Sequence, residues 1–279
     1  MQPIGTMDRA NKVAALANAV LFDADTSGKI INGSPHIKHA SLRTLYGRLV
    51  VQVFDFASKT QKNPKVLDLG AGEGSVTLPF LELGAEVTAI DISEIQLQVL
   101  QARCAQFKDR LTVRCDDVET VLRLKEDVYD IIVANSFLHH IPNYLGMIED
   151  ALAHIKTHGQ FFSFQDPLQY NRLGIFTTMF NNIAYYSWRI FEGDFIRGLG
   201  RFIRRKRSGF LEDCKEDNAE FHVVRGGVDE KAIIQLLDRH GFDCEIVRYY
   251  STQSRFFQFL GTLFGLESSF AILGKKRGN

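Results

Sequence analysis

The sequence predicts an α/β fold: a doubly wound, mostly parallel sheet covered by helices on both faces. Three observations carry this. Short β-rich runs alternate with helical stretches from Lys65 to Asp166. The first run passes directly into a glycine-rich turn and a helix. The alternation then resumes between Val228 and Lys275. Strands separated by helices of this length need crossover connections, which means βαβ units and parallel pairing.

Composition bounds the alternatives. The chain has 279 residues, 45% of them hydrophobic and 22 of them Phe, enough for a sizeable core. Lys+Arg and Asp+Glu both number 33, so the formal net charge is zero. A balanced total gives no global pull toward a polyanion, and no nucleic-acid partner is expected. Cys104, Cys115, Cys214 and Cys244 form no CxxC pair, which speaks for reduced thiols over a disulfide framework or a zinc knuckle. No metal site is evident. Asp8, Arg9, Asn11 and Lys12 interrupt the apolar residues at the N-terminus, and no run approaches the roughly 20 apolar residues that span a bilayer. A cytoplasmic protein is expected.

Residues 1–60 read as an N-terminal helical cap. It breaks at Asn32-Gly33-Ser34-Pro35, after which Pro35 opens a helix running to Leu49. Residues 61–279 form the main domain. Its first strands are Lys65–Leu69, Glu86–Asp91, Arg110–Cys115, Tyr129–Ala134 and Gln160–Gln165. A gap at about 167–227 is too long for an ordinary loop and is rich in aromatics such as Phe176, Phe180, Tyr185, Tyr186, Trp188 and Phe191. It reads as an inserted helical lid. Val228–His240 is then a helix stopped by Gly241, Asp243–Tyr250 a strand, Ser251–Gly265 an aromatic helix and Ser268–Lys275 a closing strand.

The chemistry concentrates at Val66-Leu67-Asp68-Leu69-Gly70-Ala71-Gly72-Glu73-Gly74. Glycines let a backbone approach a ligand where a side chain would clash. A dinucleotide fingerprint needs G-x-G-x-x-G. Here the third such position is Ser75, and the glycine falls one residue early. Asp68, two residues before the first glycine, suits a ligand with positive charge better than a pyrophosphate.

This D-x-G-x-G-x-G run resembles motif I of the class I, Rossmann-like S-adenosylmethionine-dependent methyltransferases. The resemblance extends from about Lys65 to Asp166 and more weakly to the C-terminus. It implies a seven-stranded sheet whose last strand is antiparallel, with S-adenosyl-L-methionine as cofactor. It places Asp68, Gly70, Ala71 and Gly72 at the cofactor's methionine end and Asp91 on the ribose hydroxyls. Ile92 lies against the adenine, Asp117 with Val118 takes the adenine edge (Asp116 nearly as well), and Asn135 contacts the methionyl group through its backbone.

Methyl transfer from a sulfonium needs mainly alignment, with a base only where the acceptor must lose a proton. The stretch Phe137-Leu138-His139-His140-Ile141-Pro142 faces the methyl group in that family. His140 is the first candidate base and His139 the second. His36, in the N-terminal helix, is a further catalytic candidate, with His39 beside it. Asp166, at a strand end, points to the same mouth. The expected acceptor is a small molecule, apolar or anionic, methylated on oxygen in preference to nitrogen or carbon. A cyclase or rearrangement enzyme on this fold, or a non-catalytic cofactor-binding module, stand as alternatives. Arg197, Arg201, Arg204, Arg205, Lys206 and Arg207 fall at helical spacing between apolar residues, so the 195–207 stretch reads as a solvated face, a peripheral membrane contact or a contact for an anionic substrate. A homodimer is the remaining partner expectation.

Overall fold

The computed structural model describes residues 34–124, 128–191 and 226–278. The lid's basic stretch, 195–207, and the first part of the cap lie outside them.

Seven strands form one sheet: β1 (Lys65–Leu69), β2 (Glu86–Asp91), β3 (Leu111–Cys115), β4 (Tyr129–Asn135), β5 (Ile155–Pro167), β6 (Phe242–Tyr249) and β7 (Ser269–Lys276). Their order is β3-β2-β1-β4-β5-β7-β6. The first five are parallel to one another, and β7 is antiparallel to both β5 and β6. This is the arrangement the sequence and its family resemblance led us to expect. The order steps outward from β1 in both directions, so the carboxyl ends of β1 and β4 face the crevice where such sheets take ligands.

Side-chain alternation along the strands builds two cores. Val66, Val87, Ala89, Ile131, Val133 and Phe162 point to one face; Leu67, Leu69, Ile90, Ile132, Ala134 and Phe161 point to the other. All seven residues of β4 are buried, as befits a central strand covered on both sides. The first face is covered by α2 (Ala40–Ser58), α3 (Thr77–Leu83) and α4 (Glu94–Arg103). The second is covered by α5 (Val118–Arg123), α6 (Tyr144–Leu152) and α8 (Glu230–Arg239). The described part of the cap therefore shares the sheet's own core: Leu42, Leu49, Val50 and Val53 of α2 are all buried in it.

Several boundaries differ from expectation. The helix read as continuous from Pro35 breaks at His39 into α1 (Pro35–Lys38) and α2, because His39 is extended and its Nε2 is held 2.7 Å from the Thr252 carbonyl oxygen. The helix read from Ser251 is α9 (Arg255–Leu263), capped by Ser254. Ser251 and Thr252 instead spend their backbone N–H groups on the Ser268 hydroxyl and the Gln258 amide oxygen. Strand β5 runs longer than its apolar centre suggested, from Ile155 to Pro167.

Of the stretch read as a lid, the described part includes α7 (Ile175–Phe191). Its neck is closed by backbone: Leu168 bridges Val228, and the Val228 N–H donates to the Pro167 carbonyl at 2.9 Å. Among the described residues no helix is long and apolar enough to cross a membrane.

Candidate functional site

The site gathers at the carboxyl ends of β1, β4 and β5. Register makes this inevitable: Leu69 lies opposite Ala134, and Asn135 opposite Phe164, so Gly70, Asn135 and Asp166 emerge along one edge.

The glycine turn is built for close approach. Gly70, Gly72 and Gly74 all have φ between 50° and 83°, a region side chains disfavour. A Cβ on Gly70 would also run into the Phe137 ring. The turn is tied to β2 on its far side. Gly70 and Ala71 both donate to the Ile90 carbonyl at 2.9 Å. The Asp91 carboxylate accepts from the Gly72 N–H at 2.8 Å and the Ser93 N–H at 2.9 Å. Asp91 thus fixes the loop while its carboxylate sits at the strand end. Beyond β3, the Asp116 N–H donates to the Asp91 carbonyl at 3.1 Å, and the Asp116 side chain accepts from the Asp117 N–H at 2.8 Å. Asp117 stands at the N-cap position of α5, where Val118 is buried; partial burial raises the Asp117 pKa. Glycine turn, Asp91 with Ile92, and Asp117 with Val118 follow one another along the edges of β1, β2 and β3.

Four buried polar atoms along this edge have no hydrogen-bond partner among the described residues: Asp68 Oδ1, Asn135 Oδ1, His36 Nδ1 and Asp166 Oδ2. A buried polar atom without a partner is costly and usually answers to a water or a ligand. Asp68 is 1% exposed, and its other oxygen accepts from the Thr77 hydroxyl at 2.6 Å. Burial, with Asp91 nearby, pushes its pKa up to about 7. His36 is buried between Tyr46 and Phe164, both edge-on to its ring. Its Nε2 lies 3.4 Å from Asn135 Nδ2, and burial lowers its pKa to about 4. It is therefore a neutral imidazole that accepts from the Asn135 amide.

Asp166, at 0% exposure, accepts twice on Oδ1: from the His139 backbone N–H at 3.1 Å and from the His139 ring, whose Nδ1 is 2.8 Å away. Burial pushes the Asp166 pKa up to about 8. A register shift between Phe164 and Asp166, with Gln165 at φ 67°, turns the carboxyl toward the loop. The His140 ring lies 4.0 Å from that of His139. The sequence singled out each of these residues but neither pairing, His36 with Asn135 or His139 with Asp166. It ranked His140 above His139 and gave no role to Thr77 or Phe137. Only the fold brings such distant positions together.

Comparisons with known proteins agree with this fold. Residues 66–159 match the family model described as a methyltransferase domain. A ubiquinone biosynthesis O-methyltransferase of Coxiella burnetii is 29% identical over 140 residues, 50% of this chain and 54% of that protein, so the chain spans about half the length of the curated relatives it matches. Among solved structures, magnesium protoporphyrin IX methyltransferase from Synechocystis PCC 6803 with bound S-adenosylhomocysteine is 15% identical, with a TM-score of 0.54 over 93% of this chain and 99% of that one. A plantazolicin methyltransferase complex is 16% identical, with a TM-score of 0.51 over 98% of both chains. These two show a shared fold.

Proposed function

We propose that this chain, whose residues 66–159 are a methyltransferase domain on the class I fold, transfers the methyl group of S-adenosylmethionine to an oxygen of a small-molecule acceptor. The observation that carries the reading is Asp68: a buried carboxyl with one oxygen unpartnered, beneath a turn opened by Gly70 and Gly72. An α-amino acid ammonium is the cation that suits such an oxygen. The donor set around it fits the rest of the molecule. Asp91 offers acceptors to a ribose diol, Asp117 and Val118 offer an acid and a backbone N–H to an adenine edge, and Asn135 stands beside the methionyl end.

When bound, the cofactor supplies an electrophilic methyl group on a sulfonium with a neutral thioether as leaving group. The chain's part is to orient and to take a proton. Asn135 Oδ1 and His36 Nδ1–H present one acceptor and one donor at the β4 end, and both hold a ligand in place. Of the adjacent histidines, the contact to Asp166 favours His139 over His140 as the base. With Asp166 ionised, its Oδ1 receives Nδ1–H, which leaves the lone pair on Nε2. That tautomer can take the proton of an acceptor hydroxyl as the oxygen attacks. Asp166 is then a positioning residue. The names of the curated relatives support oxygen as the acceptor atom.

Product formation with methyl-labelled S-adenosylmethionine and a panel of phenolic and aliphatic hydroxyl compounds tests this. Label in a methyl ether is expected. Transfer only to amines, or turnover of the cofactor without label in product, overturns the assignment.

A further inference from the structure

At the edge of the sheet beside the site, α7 and α9 carry apolar side chains that the described chain leaves uncovered. Phe176, Met179 and Ile183 on α7, with Phe256, Phe259 and Leu263 on α9, are each more than half exposed. Their spacing makes them stripes. Phe176, Met179 and Ile183 follow i, i+3, i+7 along α7, and Phe256, Phe259 and Leu263 follow the same spacing along α9. The two helices are joined through Phe180, which packs edge-on against Phe257 and Phe264. The exposed stripes therefore lie on two helices that pack against each other. Soluble proteins rarely leave a continuous apolar patch of this kind without a use.

The far flank of α9 borders a groove of about 620 Å³ lined by Arg255, Phe259 and Leu263 of α9 and by Lys38 and Arg43 across from it. Among the described residues no acidic side chain lines it. The three cations converge on His39, whose pKa falls first through burial and then through Lys38, Arg255 and Arg43 in turn. A greasy crest flanked by unneutralised cations matches one partner in both respects: apolar chains beneath anionic headgroups.

We infer that the α7–α9 crest and the Lys38–Arg43–Arg255 groove form a docking surface for an anionic lipid bilayer. The apolar stripes enter the headgroup boundary and the cations meet lipid phosphates. The surface differs from the basic stretch 195–207, which lies outside the described residues. It also stands independently of the methyl-transfer reading. Its position gives it a consequence, since α7 follows β5 and α9 follows β6 at the edge that carries Asp166. A docked protein would turn the mouth of the site toward the bilayer.

The test is co-sedimentation of the full chain with phosphatidylcholine vesicles, with and without phosphatidylglycerol. The chain is expected to bind the anionic vesicles roughly tenfold or more tightly than the neutral ones, since each cation near such a surface contributes about 1 kcal/mol. Arg43→Glu with Arg255→Glu is expected to remove that preference. Phe256→Ser, Phe259→Ser and Leu263→Ser together are expected to abolish binding to both vesicles, and Phe259→Ser alone to weaken it. S-adenosylhomocysteine affinity, measured on each variant, is expected to stay unchanged and reports the fold separately. Failure of the wild type to bind anionic vesicles, or equal binding by the variants, overturns the inference. So does self-association on a sizing column that the apolar substitutions disperse while vesicles are ignored, because the crest is then a contact between copies.

Discussion

At the scale of single residues, the site rests on carboxyls that burial makes reluctant to ionise. Asp68, with its pKa pushed up to about 7, is protonated in half the ligand-free molecules near neutrality. An ammonium favours the ionised form, so cofactor binding expels a proton. Affinity should therefore rise with pH between 6 and 8, by roughly tenfold over the two units together. Calorimetry at those two pH values checks this, and Asp68→Asn should bind weakly and without the pH dependence. Asp166 follows the same logic with a different readout. Its pKa is pushed up to about 8, and the extra proton must leave the His139–Asp166 pair before Nε2 can act as a base. The rate should rise from pH 7 to pH 9. His139→Ala should lower kcat roughly 100- to 10,000-fold, and more than His140→Ala does. Asp166→Asn should lower kcat with little change in KM and distort the pH–rate profile, whereas a purely structural role would leave the profile's shape intact. Gly70→Ala meets both a positive φ and the Phe137 ring, so it should cost about 1–3 kcal/mol in stability from backbone strain alone, measurable by denaturant titration.

At the scale of elements, the neck of the lid is where sequence and structure meet most instructively. Asp229 caps α8 by accepting from the Lys231 and Ala232 N–H groups at 3.1 and 3.0 Å. The same carboxylate holds both ends of the Arg172 guanidinium, at 2.6 and 2.9 Å. It thus starts a helix and closes the insertion at once. Asp229→Ala should cost about 1 kcal/mol for the cap, read by thermal melting. Arg172→Ala should add little, because that pair is partly exposed and water screens it. The helix start near Val228 was legible because an N-cap acid followed by 3.6-period apolar residues is a local signal. Strands β1 and β2 were legible to the residue for a similar reason: Lys65–Leu69 and Glu86–Asp91 end in glycine or acid punctuation. What the sequence hid depends on distant partners. The break at His39 is made by Thr252, and the late start of α9 by Ser268 and Gln258. The same holds for the site. The cofactor landmarks are local motifs at strand ends, but the His139–Asp166 pair exists only because β4 and β5 lie side by side.

At the scale of the whole molecule, one sheet does three things. Its alternating faces make the two cores, its order opens a crevice at β1 and β4, and its long β5 carries Asp166 to the mouth beside the lid. The central claim is that the arc from Asp68 through Asp91 to Asp117 holds S-adenosylmethionine. The most direct test is calorimetric titration of S-adenosylhomocysteine into the wild type and into Asp91→Ala, in parallel with a fold check. The account predicts saturable binding at one site per chain in the wild type. It predicts a loss of roughly tenfold or more in the variant, as expected when a charged acceptor and its hydrogen bonds are removed. Absence of binding in the wild type, or unchanged affinity in Asp91→Ala, would contradict it.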